Sequence, residues 1–223
     1  MSDDQVLNNL RTVIANMPEA EIERGRQLLT EDTPEADRAE VRSLQAKVRR
    51  KLFERNLPAR YENATYDDLD DTQQAEMVRG WLDSKSPTLF LIGPVGTGKT
   101  HAAFAVMRDA VERDLWVSGE TVTNLMETLR PDAWPSNLPR LSTQAALFLF
   151  DDLAAGKATE WVVEQFTRIV DERAREGLRQ IVTTNTASWT ELVDMYGDRA
   201  MSRLAGGATV AQFTGGDRRK VLW

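Results

Sequence analysis

Gly93-Pro94-Val95-Gly96-Thr97-Gly98-Lys99-Thr100 follows directly on the apolar run Thr88-Leu89-Phe90-Leu91-Ile92 and leads straight into a helical pattern. The form G-x-x-x-x-G-K-S/T between a strand and a helix is a phosphate-binding loop. Its glycines let backbone N–H groups curl around a β-phosphate, Lys99 reaches the β- and γ-phosphates, and the Thr100 hydroxyl ligates Mg²⁺. The start of the following helix adds its positive dipole end and its unsatisfied N–H groups. The candidate nucleotide-binding residues are Gly93, Pro94, Val95, Gly96, Thr97, Gly98, Lys99, Thr100 and the adjoining His101.

Working outward from this loop, strand and helix patterns alternate. Strands are expected at 89–92, 115–118, 145–150, 180–184 and 210–213, the last with 221–223 as a candidate partner. Helices are expected at 99–113, 121–129, 159–176 and 188–196, the last opened by a Ser188/Glu191 capping box. Near-continuous apolar strands separated by helices predict an α/β fold, a parallel sheet covered on both faces. A further helix is expected over 71–83, with Asp71 and Gln74 placed as a capping box.

Leu147-Phe148-Leu149-Phe150-Asp151-Asp152-Leu153 sets two carboxylates where an apolar strand leaves the sheet, a Walker B arrangement. Ligands of open α/β sheets gather beyond the carboxyl ends of the strands, so this pair and the loop are expected to face one crevice. Asp151 is the candidate to hold Mg²⁺ through its water shell, and Asp152 to orient or deprotonate an attacking water. Ile181-Val182-Thr183-Thr184-Asn185 is another strand ending in polar side chains at that edge, with Asn185 placed to meet the water or the γ-phosphate. Gly197-Asp198-Arg199-Ala200-Met201-Ser202-Arg203-Leu204 puts two arginines four residues apart on one helical face. They read either as arginine fingers supplied across a subunit interface or as surface ion-pair partners.

The chain has 223 residues, room for one full domain and an appendage, with a net charge of −7, no cysteine and one histidine. Disulfides and Cys- or His-cluster metal sites are excluded, and a protein that coats nucleic acid by charge alone is disfavoured. No apolar run approaches a membrane span or a signal-peptide core, so a cytoplasmic protein is expected, with no membrane association. Residues 1–40 are mainly acidic, whereas Arg42, Lys47, Arg49, Arg50, Lys51 and Arg55 form a basic strip. Val6, Leu10, Val13 and Met17, a second short helix over 22–29, and Val41, Leu44, Val48 and Leu52 predict three helices with thin apolar stripes. Such a bundle buries little surface and is expected to complete itself on a partner. Residues 1–55 are therefore assigned to an N-terminal helical partner-binding domain, 56–70 to a linker and 71–223 to the nucleotide-binding core.

Taken in order, GPVGTGKTH, LFLFDDL, the segment Lys157-Ala158-Thr159-Glu160-Trp161, TTN, GDRAMSRL and the upstream LPARYENATYDDL resemble the bacterial and phage replicative helicase loaders of the DnaC/DnaI type, AAA+ ATPases of the initiator clade. The resemblance covers residues 56–219. It implies a P-loop NTPase core of AAA+ type, ATP and Mg²⁺ as cofactors, and ATP hydrolysis at a low intrinsic rate. It also implies Asn185 as sensor 1 and Arg203, with Arg199 beside it, as the finger. The implied partners are a hexameric replicative helicase of DnaB type, held through the N-terminal domain, single-stranded DNA, and further copies of the chain in an ATP-dependent homo-oligomer. Initiator-clade proteins carry an extra helical insertion where Arg130, Trp134 and Arg140 stand, which makes these three the candidate nucleic-acid contacts. Three departures are visible. No cysteine is present for the zinc site of the DnaI-type N-terminal domain, Asp152 stands where many AAA+ proteins have Glu, and too few residues follow Arg203 for a C-terminal helical lid. The ATPase of IstB-type transposition systems shares the loop and the short core and is the alternative, as is a nucleotide-switched adaptor that barely hydrolyses ATP.

Overall fold

The computed structural model describes residues 35–69, 72–130, 132–133, 136, 138–154 and 158–218, which fall into two compact units parting at Asn56 and Leu57. The first contributes one described helix, α1 (Glu35–Asn56), on which Val48 is buried. The helices expected over 1–34 and the side chains of Val41 and Leu44 lie outside the described residues.

The second unit is a five-stranded sheet in the order β2-β3-β4-β1-β5, every neighbouring pair parallel. Its strands are β1 (Thr88–Ile92), β2 (Val117–Thr121), β3 (Leu147–Asp151), β4 (Arg179–Thr184) and β5 (Thr209–Gln212). The helices are α2 (Thr72–Gly80), α3 (Lys99–Glu112), α4 (Val122–Thr128), α5 (Leu138–Gln144), α6 (Glu160–Arg175) and α7 (Trp189–Ala205). Central strands β1, β3 and β4 are buried almost throughout, as a sheet covered on both faces requires, while β2 is half-buried at the edge. Ring contacts of about 5 Å run from Phe148 to Phe150, Phe166 and Tyr196, tying β3 to α6 and α7 through the main core. Among the described residues no helix is long and apolar enough to cross a membrane.

Side-chain caps set the helix starts. Thr121, Thr159 and Ser188 accept from Asn124 N, Val162 N and Glu191 N, opening α4, α6 and α7. The second strand runs over Val117–Thr121, later than the expected 115–118, because Leu115 N still closes the end of α3 by donating to Ala110 O. Ser118 and Glu120 are tolerated in it because β2 is an edge. Helix α5, with Pro139 in its first turn, falls in the stretch where the resemblance implies an extra helical insertion and where the residues themselves carry no helical pattern. Gly197, at φ 81°, breaks α7 directly after Tyr196, so the Arg199–Arg203 segment is a second helical piece at an angle to the first.

At the amino ends of the strands, the fully buried Arg173 of α6 donates to Gln180 Oε1 and to the carbonyls of Ser142, Ala145 and Arg179. Gln180 Nε2 passes the contact on to Thr88 Oγ1. Burial pushes the Arg173 guanidinium down to about 9. One side chain thus pins the base of β1, β3 and β4, and the site lies at the opposite edge.

Candidate nucleotide site

The loop between β1 and α3 is shaped by close approach of other chain segments. A Cβ on Gly93, at φ 146°, would stand 2.1 Å from Phe213 O, and one on Gly96, at φ 83°, would stand 1.9 Å from Asp217 Oδ1. Only glycine fits either position. Gly93 N donates to Thr184 O at 3.3 Å, anchoring the loop to the top of β4. Thr97 Oγ1 donates to Pro94 O, and Val95 is 55% exposed at the loop's tip.

Lys99, 8% exposed, donates from Nζ to Gly93 O and Pro94 O, both at 2.7 Å. A buried ammonium curled over a glycine cradle at a helix start fits a polyphosphate group, whose oxygens are stronger acceptors than those two carbonyls. Thr100 Oγ1 donates to Asp151 Oδ1 at 2.9 Å, so the hydroxyl and the carboxylate expected to share Mg²⁺ already meet. The residues present fit a nucleotide held with its metal: Gly93 to Thr100 at the phosphates, Thr100 and Asp151 at Mg²⁺.

Thr183, one strand over, was not assigned a role by the sequence and turns out central. Its hydroxyl donates to Asp151 Oδ1 at 2.6 Å and accepts from Asp152 N at 2.8 Å. Asp152 sits at φ 56° with its side chain exposed at the mouth of the crevice, and the next residue, Leu153, donates its N–H to Thr183 O. Burial, with the Asp152 charge adding to it, pushes the Tyr196 phenol up to about 12. Asn185 is exposed just past the end of β4, next to the carbonyl that holds Gly93.

His101, next to Thr100, has Nε2 at 2.8 Å from Asp68 Oδ2 and its ring edge-on to Tyr61. Hydrogen bonds from His101 and from Thr65 hold the Asp68 carboxyl down to about 2. Asp68 closes a capping box with Thr65 on the Tyr66–Asp68 turn. Residues 57–69, assigned to a linker, thus lie within the second unit and against α3: Tyr61 stacks on Phe104 at 4.6 Å, and Tyr66 Oη donates to Asp109. The aromatic side chains, which carry no periodicity in so short a stretch, supply the packing.

Arg199 and Arg203 pair with Asp171 of α6, at 2.5 and 3.3 Å, and remain 73% and 59% exposed. They occupy the part of α7 that runs back toward the start of β5, away from the strand ends that carry the loop. Arg130 is exposed after α4, and Arg140 of α5 donates to Gln144 Oε1 at 2.8 Å. Trp134, Lys157 and residues 221–223 lie outside the described residues.

Residues 22–206 match the family described as IstB-like ATP binding protein. The chain belongs to that family. A relative of this IstB-like chain, an ATP-binding protein encoded in an insertion sequence of Mycobacterium tuberculosis, is 29% identical over 174 residues, covering 72% of this chain and 65% of the relative. The chain therefore spans just under two thirds of that relative's length. Among solved structures, the DnaC helicase loader superposes with a TM-score of 0.61 at 18% identity, over 70% of this chain and all of that one. DnaI superposes with a TM-score of 0.61 at 22% identity, over 74% of this chain and 95% of that one. The AAA+ initiator-type fold expected from the ordered motifs is the fold observed. The family matched by sequence is the one weighed as the alternative to the loaders.

Proposed function

We propose that this IstB-like chain is an ATP-hydrolysing switch that assembles on DNA in its ATP-bound form and delivers a partner enzyme to it. The observation that carries the reading is the meeting of Thr100 and Asp151 at 2.9 Å beside a glycine loop with a buried lysine. When bound, ATP with Mg²⁺ supplies the phosphoanhydride to be cleaved. Lys99 and the loop N–H groups would hold the phosphates, Thr100 and Asp151 would orient the metal, and Asp152 would deprotonate a water that Asn185 helps to position. Arg199 and Arg203, exposed and paired with Asp171 of α6, serve a neighbouring copy, which makes hydrolysis dependent on the oligomer.

Two partner readings are separable. The ordered motif set and the DnaC and DnaI likeness favour a replicative helicase, engaged by residues 1–55. The family match and the insertion-sequence relative favour a transposase. ATP turnover of the full chain, measured alone, with single-stranded and duplex DNA, and with each partner class, tests both. Stimulation by helicase with single strands supports the first, and stimulation by transposase with duplex supports the second. Lys99→Ala must abolish all turnover; residual activity in that variant would sink the proposal.

A further inference from the structure

The chain does not leave the site at Gln212. Phe213 N donates to Ile92 O at 2.7 Å, extending the β1–β5 ladder, and the residues beyond it run along the outside of the phosphate loop. Phe213 backs Gly93, Asp217 backs Gly96, and the Arg218 guanidinium carbon lies 3.7 Å from the place a Cβ would take on Gly98. Arg218 N donates to Gly96 O at 3.0 Å, and its Nη1 donates to Asp68 O at 2.8 Å. This segment arrives from the β5 side of β1, whereas Asp151 and Thr183 belong to strands on its other side. The loop therefore has a candidate metal-binding flank and, opposite it, a flank carrying the Asp217 carboxylate beside Gly96 and the Arg218 guanidinium beside Gly98.

We propose that Arg218 is a nucleotide-binding residue supplied in cis by the segment after β5, recognising the diphosphate part common to ATP and ADP. The inference rests on the reading of the loop as an ATP site. A guanidinium beside the last glycine of a loop whose N–H groups gather anions adds to the same attraction, and its fork presents five donors. In the structure one of its donors, Nη1, goes to the Asp68 carbonyl, and a phosphate oxygen is a stronger, charge-assisted acceptor than that carbonyl. Because Thr100 and Asp151 mark the γ-phosphate end on the other flank, Arg218 acts on what the two nucleotides share. Asp68 links the arrangement to α3 through His101, so the turn at 66–68 and the segment at 213–218 close on the loop from the same side.

Calorimetric titration of the full chain with Mg-ADP and with a non-hydrolysable ATP analogue tests this, using wild type, Lys99→Ala, Arg218→Gln and Arg218→Lys, with the melting temperature of each nucleotide-free protein measured alongside. Glutamine keeps a donor for Asp68 O and removes the charge. Arg218→Gln is expected to weaken both nucleotides by roughly tenfold, the effect of one charge-assisted hydrogen bond, at an unchanged nucleotide-free melting temperature. Unchanged affinity, or a loss confined to the ATP analogue, overturns the proposal. Should Arg218→Gln destabilise the nucleotide-free protein, Arg218→Lys decides: affinity near wild type for both nucleotides supports the role of charge, and a loss as large as that of glutamine overturns it. Failure of the wild type to bind either nucleotide would instead remove the ATP reading itself. Binding lost in Lys99→Ala but retained in Arg218→Gln would remove only Arg218.

Discussion

Thr183 on β4 and Asp151 on β3 share a 2.6 Å hydrogen bond across the two strands, with the threonine hydroxyl as donor. The same hydroxyl accepts from Asp152 N, so one buried side chain aims the carboxylate proposed to hold Mg²⁺ and fixes the backbone of its neighbour. Thr183→Val, nearly the same shape, leaves Asp152 N without that partner and Asp151 without one donor. Stability should fall by about 1–3 kcal/mol in urea denaturation. The Mg²⁺ concentration needed for half-maximal nucleotide binding should rise, and Thr183→Ser should restore both. Equal Mg²⁺ dependence in all three proteins would show that Thr183 merely packs.

The exposed pair Arg199 and Arg203 leads to a complementation test. Arg203→Ala should bind nucleotide as wild type does yet hydrolyse it poorly, and Lys99→Ala should do neither. Mixed and co-assembled, the two should recover part of the turnover, because intact fingers of one copy meet intact loops of the other. Absence of recovery at every ratio, with co-assembly verified, would place catalysis within a single chain.

Tyr196 gives a signed pH dependence. A phenol raised from about 10 to about 12 is held protonated by the fold, so its contribution is complete below pH 10 and is lost as pH climbs toward 12. Over that window the fold should lose on the order of 2 kcal/mol through this group. Tyr196→Phe should flatten the decline in stability between pH 10 and 12 relative to wild type, and Asp152→Asn, by stabilising the phenolate in the folded state, should leave the onset in place while making the total loss smaller. Parallel declines for wild type and Tyr196→Phe would assign the loss to other groups.

Arg130 and Arg140 bracket the stretch between α4 and α5, and we propose that they meet single-stranded DNA. Fluorescence anisotropy with ATP present should show binding that weakens steeply with salt, and Arg130→Ala should lower both affinity and salt slope. Identical curves for variant and wild type would remove this contact.

The fold and the chemistry were legible to different depths. Gly93–Thr100 and Asp151–Asp152 were readable because the phosphate loop and the carboxylate pair demand fixed residue types at fixed spacing after an apolar strand. The roles of Thr183, Asp68 and Arg218 were not. Thr183 acts through a neighbouring strand, Asp68 through His101, and Arg218 through contacts between segments far apart in the chain, and none of these leaves a periodic trace. Helix α5 was implied by the resemblance and not by the local pattern, because its Pro139 reads as loop punctuation and is in fact tolerated in a first helical turn. The stretch at 57–69 hid its packing for the opposite reason, since it is held by isolated aromatic contacts and not by a repeating face.

The place of β1 between β4 and β5 has a consequence for the nascent chain. As synthesis proceeds from the amino end, Leu89, Phe90 and Leu91 emerge with neither neighbouring strand yet made, and the phosphate loop follows them without the Phe213 backing it needs at Gly93. Contacts of such long sequence separation form late and leave sticky apolar strands waiting for partners. The backing of Gly93 by Phe213 and of Gly96 by Asp217 is thus completed only once residues 209–218 have been made.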